Sequence, residues 1–327
     1  DYYYKYTKDM LMSVPLPSPY PNITRNDGEM SNQGLEITLS SVNIARKDFN
    51  WSTDLNVSLN RNKVKELDSA SSTIDKTYQI GSSKYTVTRT VAGKPIGQFW
   101  GYKVIGRFDK PEDFFYTDKD GNVRQVALPE GNIIDKNGTF IGDYRYADLN
   151  GDGKINNEDC TFIGNPEPKF TYGIGNIFSW KGIDLTVFFS GSYGNDAMNF
   201  TRSRSEDPRV NSNILKDALN YAKVEKIDPN GPDDDYRNLH VVGGDSKMAA
   251  LQVSDANANY TRASDLFVED ASYIRLQNVS LSYTFPRNWN WMTAARLSNI
   301  RVYANVQNVY TWTKYKGMDP EIGAMYG

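Results

Sequence analysis

The chain has 327 residues, 37 basic and 40 acidic side chains, and a formal net charge of -3, so it lacks the basic surplus expected of a nucleic-acid binder. Mean hydropathy is -0.61, and no apolar run of about 18 residues or more is present, which excludes a transmembrane helix but not a membrane barrel. The single cysteine, Cys160, rules out an internal disulfide and leaves the redox compartment open. The first residues, Asp1–Tyr6, have neither the basic nor the apolar region of a signal peptide. They fall within a strand-like pattern, so the chain reads as a piece of something larger.

In chain order, Tyr2–Met10 opens as a strand, and Leu35–Ala45 follows with Leu35, Ile37 and Leu39 opposite Glu36, Thr38 and Ser40. Its phase then slips at Ser41 towards Val42 and Ile44, as at a bulge. Trp51–Lys63 alternates strictly: Trp51, Thr53, Leu55, Val57 and Leu59 on one face, Ser52, Asp54, Asn56, Ser58, Asn60 and Asn62 on the other. Phe170–Trp180 carries Phe170, Tyr172, Ile174, Phe178 and Trp180 on one side. Ile183–Tyr193 repeats the pattern, with Phe188 as an exception on the polar side. Tyr273–Phe285 and Ile300–Trp312 complete seven predicted strands.

The turns inside the pairs are short, at 46–50, 180–182 and 286–298. The connections between pairs are long and polar, at 11–33, 66–168 and 194–270. If all short turns lie on one side, every long connection falls on the other, as in transmembrane β-barrels. A soluble antiparallel sheet with one wet face is the plainer reading. Two features favour the membrane: aromatics end the stripes (Trp51, Trp180, Tyr193, Tyr310, Trp312), and the strands run to roughly 11–14 residues, enough for a tilted span. Seven such strands cannot close a barrel, so neighbouring strands are required.

Within the second long connection, Asp148-Leu-Asn-Gly-Asp-Gly-Lys-Ile-Asn-Asn-Glu-Asp159 fits a calcium-loop template at 148–159. Asp148, Asn150, Asp152, Asn156 and Asp159 would supply side-chain oxygens, and Lys154 its carbonyl. Position twelve is Asp rather than Glu, and the preceding 142–147 reads as extended, so a turn that binds nothing is the competing account. No catalytic constellation accompanies it. His240 reads as an exposed histidine in a polar loop, Asp233–Asp235 as a solvated acidic turn, and Leu215–Val224 as a short helix. Gly97 to Gly101 reads as a strand end folding into the loop. Trp289, Trp291 and Trp312 suit rim anchoring about as well as sugar stacking.

Several segments resemble the SusC/RagA-type TonB-dependent outer-membrane receptors. They are Tyr3–Leu11 with Val14–Pro17, Asn26–Glu36, Gly93–Gly106, Gly142–Gly153, Asp270–Pro286, and Ile300–Asn308 with Asp319-Pro-Glu321. The resemblance implies the C-terminal part of a roughly 22-stranded barrel, without the plug domain. It also implies TonB-driven import in the outer membrane of a Gram-negative bacterium and a SusD-like surface lipoprotein over the long loops. The cargo would be an oligosaccharide or, in some members, a peptide.

The resulting expectation is an all-β chain: an antiparallel transmembrane β-barrel segment in a lipid bilayer, with long extracellular loops. Asp54, Asn56, Asn60, Asp184, Arg301, Asn305 and Gln307 would face the lumen, with a structural Ca2+ in the 148–159 loop. No nucleic acid and no enzymatic chemistry are expected. A secreted β-sandwich carbohydrate-binding module with a calcium loop is the rival. It would bury its apolar stripes against a second sheet.

Overall fold

A computed structural model describes all residues except 15–22, 27, 68–72, 81–82, 211–212, 253 and 322–327. Part of the 11–33 connection, including Pro15–Pro17, lies outside the described residues. The frame is one antiparallel sheet whose strands stand in sequence order. We label them β1 (Tyr2–Thr7), β2 (Gly28–Ala45), β3 (Phe49–Leu67), β4 (Phe170–Trp180), β5 (Ile183–Tyr193), β6 (Tyr273–Thr284) and β7 (Arg301–Thr313). Among the described residues, no helix is long and apolar enough to cross a membrane.

The register gives the sheet two chemically opposite faces. Leu39, Leu55, Ile174, Phe189, Leu276 and Tyr310 form one line of paired residues across β2 to β7. One residue along, the line is Thr38, Asn56, Gly173, Ser190, Arg275 and Thr311. Because side chains alternate across a strand, the first line belongs to an apolar face and the second to a polar one.

The apolar face is bare. Leu39 is 57% exposed, Trp180 52%, Leu281 52% and Val302 60%. Between Gly34 and Ala45 on β2, from Phe49 to Lys63 on β3, and along β4 to β7, the only buried residues are Gly34, Gly173, Gly191, Ser192, Arg275 and Ser282. The sheet therefore hides small and polar groups and shows its large apolar ones. Each large side chain left in water forgoes about 1.5–3 kcal/mol, so a face of this kind requires an apolar medium against it. Among the described residues no second sheet packs on the stripes, and the sandwich expectation fails on that ground.

Two details differ from the sequence reading. The phase slip on β2 comes between Val42 and Ile44, so Asn43 is the extra residue and Val42 stays on the polar face opposite Ser52. Strands β2 and β3 also run further than their alternation, to 18 and 19 residues. Their upper ends leave the bare region and pack: Val64 is 1% exposed and exchanges backbone hydrogen bonds with Gly93 and Lys94.

The long connections are not structureless. Among the described residues, those at 66–168 and 194–270 fold together into a layer at the end of the sheet opposite the short turns. It contains a four-stranded sheet built from Thr73–Ile80, Ser83–Val91, Gln98–Tyr102 and Cys160–Gly164, plus several two-stranded ribbons. Gln98–Tyr102 carries the expected strand around Gly101. One core joins Tyr102, Tyr144, Tyr146 and Ile155 to Ala249 and Tyr260, and a second joins Phe108, Phe114, Leu128 and Ile141 to Leu239. The expected helix at 215–224 is a 3-10 turn at Lys216–Asn220 followed by a strand at Lys223–Lys226. His240 is not exposed: it lies in the strand Leu239–Gly243, half-buried, with its Nδ1 out of contact with solvent.

Candidate functional site: the polar face and its rim

The polar face gathers the residues that the sequence pattern set opposite the apolar stripes. Asp54, Gly175, Phe188, Asn278 and Gln307 form a paired line across it, and Asn305 pairs with Ser280. Asp54 accepts a hydrogen bond from Ser40 at 2.6 Å, and Asp184 one from Ser179 at 2.6 Å. Arg301 donates to Ser282 at 2.7 Å and stands 3.4 Å from Asp184. The Asn56 amide covers Gly173, where a Cβ would stand 2.7 Å from its Oδ1. Asn60 accepts from the Tyr3 hydroxyl at 2.9 Å and donates to Glu167 at 3.3 Å. All seven expected residues thus share one face, and Phe188 and Tyr303 stand among them as aromatic exceptions.

The bare face has a polar inset that the stripe pattern passed over. Asn176 accepts from the Trp51 indole at 3.0 Å and from the Thr53 hydroxyl at 2.7 Å, and Asn43 donates to Thr53 at 2.7 Å. These groups satisfy one another, so the inset does not leave bare acceptors towards an apolar medium.

The sequence reading also missed Arg275. It is 7% exposed on the polar face, and its guanidinium donates to Thr311, Glu321 and Asp319, each at 2.8 Å. Tyr273 donates to Glu321 at 2.6 Å. An arginine in the polar phase of β6, with two acids spaced i, i+2 after β7, was the available signal.

In the loop layer, residues 148–159 form a tight turn held by its own acids. Asp148 accepts the amides of Gly151 and Gly153, Asp152 that of Lys154, and the fully buried Asp159 those of Leu149 and Asn156. Asn150 and Asn156 side chains accept from Asp152 and Glu158. Gly151 and Gly153 adopt φ of 78° and 82°, which glycine tolerates without strain. Among the described residues, no three acidic, His or Cys side chains gather to hold a metal.

A second buried acid lies deeper. Asp143 accepts from the Phe140 amide, Asn259 and Gln252 at 2.7, 2.6 and 2.8 Å. Burial pushes its pKa up to about 7, against the pull of those three donors.

An antiparallel sheet with a bare apolar face, a polar face, short turns at one end and a folded layer at the other defines a transmembrane β-barrel segment. No protein-family model matches the chain. It is 31% identical over 328 residues to TonB-dependent receptor P3 of Formosa agariphila, covering 98% of this chain and 28% of that protein. TonB-dependent receptor P26 of the same organism is 28% identical, with 100% and 29% covered. TonB-dependent receptor SusC of Bacteroides thetaiotaomicron is 26% identical, with 98% and 27% covered. In fold it is similar to the RagAB peptide transporter, with a TM-score of 0.64, 23% identity, and coverage of 98% of this chain and 30% of that one. Along nearly its whole length the chain is thus similar to part of the TonB-dependent receptors, a SusC among them. It spans less than a third of the length of the curated relatives it matches.

Proposed function

We propose that this chain is the C-terminal wall and outer mouth of an outer-membrane importer for a large nutrient. The observation that carries the reading is the inverted burial of the sheet: glycine, serine and arginine are covered while leucine, valine and tryptophan are bare. In this reading the bare face meets lipid, and Asp54, Asn56, Asn60, Asp184, Arg301, Asn305 and Gln307 line the lumen. The layer at 66–168 and 194–270 forms the extracellular mouth. The cell outer membrane is its place, and TonB acts through a plug supplied elsewhere in the receptor. Cargo binding and passage need no covalent step.

An oligosaccharide is the favoured cargo, captured together with a SusD-like lipoprotein seated over the loop layer. That choice rests on the resemblance of the sequence segments named above. The fold similarity to a peptide transporter keeps a peptide cargo as the second reading. A calcium ion in the 148–159 turn is part of the proposal on spacing alone, since the carboxylates are engaged by amides. The test is growth of a strain lacking the receptor on single candidate glycans or peptides. Loss of growth on one class, restored by the intact receptor but not in a TonB-deficient background, supports import. Unchanged growth on every class contradicts it.

A further inference from the structure

Arg275 is one end of a charged chain that joins the sheet to the loop layer. After β7, residues 314–321 fold back over the polar face at its long-connection end. Asp319 and Glu321 are held there by the Arg275 fork and by Tyr273, and Pro320 between them is buried. The same segment is tied to the 194–270 connection at its other end. The Lys316 amide donates to Glu269 and its ammonium to Asp217, both at 2.8 Å. Glu269 in turn receives the buried Arg202, which also donates to Glu206 at 2.7 Å and to the Leu266 carbonyl.

From the geometry we infer that residues 314–321 are a latch, which ties the position of the 194–270 layer to the barrel wall and opens when the mouth admits cargo. This deepens the import reading and rests on it. Three features make the segment a latch rather than a plain surface loop. Apart from the buried Pro320, the attachments given above are polar or ionic, so they can be exchanged for water with little apolar surface exposed. They end on two different bodies, the wall through Arg275 and the layer through Glu269 and Asp217. A charged cavity of about 610 Å³ lies beside it, lined by Arg202, Glu206, Asp217, Glu269, Lys314 and Lys316. That cavity gives the layer room to move once the ties break. Charge-assisted bonds of this kind are strong when closed and sensitive to neutralisation.

The test uses the full-length receptor, purified in detergent and also expressed in cells. Amide hydrogen exchange is compared between wild type and an Asp319→Asn, Glu321→Gln variant, which keeps size while removing both charges; Arg275→Lys serves as a milder second variant. The latch predicts exchange about tenfold faster in peptides covering 313–321 and, with it, faster exchange in 194–217 and 265–270. The Lys variant should fall between the two, and cargo uptake should change in the same order. Acceleration confined to 313–321, with uptake unchanged, would overturn the latch and leave a static brace. Absence of TonB-dependent uptake in the wild type would contradict the import reading instead, whatever the exchange pattern.

Discussion

The hydroxyl end of the Tyr172 ring covers Gly191, its direct partner on the neighbouring strand, on the bare face of the sheet. A Cβ at Gly191 would overlap that ring and stand 2.6 Å from the Tyr273 carbonyl oxygen. Gly191→Ala should therefore destabilise the barrel by about 1–3 kcal/mol, as overpacking does. Gly175→Ala is the control, because its nearest neighbour is 3.7 Å from the added carbon, and should shift stability by less than about 0.5 kcal/mol. Urea unfolding of the full receptor in vesicles separates the two.

Charge placed on the two faces should have unequal effects. Leu281→Arg puts a cation on the bare face and should cost about 2–4 kcal/mol near the bilayer centre. Ser280→Arg, one residue away on the polar face, should cost well under half of that in the same vesicle assay. Equal effects would mean that the two faces meet the same medium.

Asp159 is fully buried and caps two amides. Its replacement by Ala leaves both donors unpaired and should lower the stability of the loop layer by about 1–3 kcal/mol, read as a lower midpoint for protease cleavage within 142–164. If calcium also binds, adding it should raise the wild-type midpoint and a chelator should reverse the gain. A midpoint indifferent to both would leave the turn held by its amide caps alone.

Asp143 carries a pH signature. Its folded-state pKa is raised from 3.8 to about 7 by burial, so the folded layer holds this proton more tightly than the unfolded chain does. The resulting stabilisation is complete below about pH 4 and is lost as pH rises towards 7. Asp255, also raised by burial, adds a change of the same sign. Protease resistance of the loop layer should therefore fall across that window, and Asp143→Asn should flatten the fall.

Much of the sheet was legible because one face of every strand is wet. Trp51–Lys63 and Ile183–Tyr193 declare themselves by period-two alternation, and the order of pairing follows from the short turns. The ends of β2 and β3 were not legible, since above Leu59 the strand continues by backbone pairing and loop contact rather than by alternation. The loop layer was illegible for a related reason: its cores join residues far apart in sequence, such as Tyr144 in a strand of three residues and Ala249 outside any strand. The bulge falls at Asn43, after Val42 rather than before it, so Val42 keeps the polar face, a one-residue matter that composition cannot decide. Arg275 was missed because a lone arginine in a polar phase looks like any other, and only the fold brings Asp319 and Glu321 to it.

The most direct test of the account follows nitroxide labels placed one at a time at Leu55, Asn56, Val57 and Ser58 of the full receptor in lipid bilayers. Collision with oxygen, which concentrates in lipid, and with a water-soluble nickel chelate is measured at each position. The account predicts high oxygen and low nickel accessibility at 55 and 57, and the reverse at 56 and 58. Uniform accessibility along the four positions, or nickel access at Leu55 and Val57, would contradict a lipid-facing stripe and with it the barrel wall.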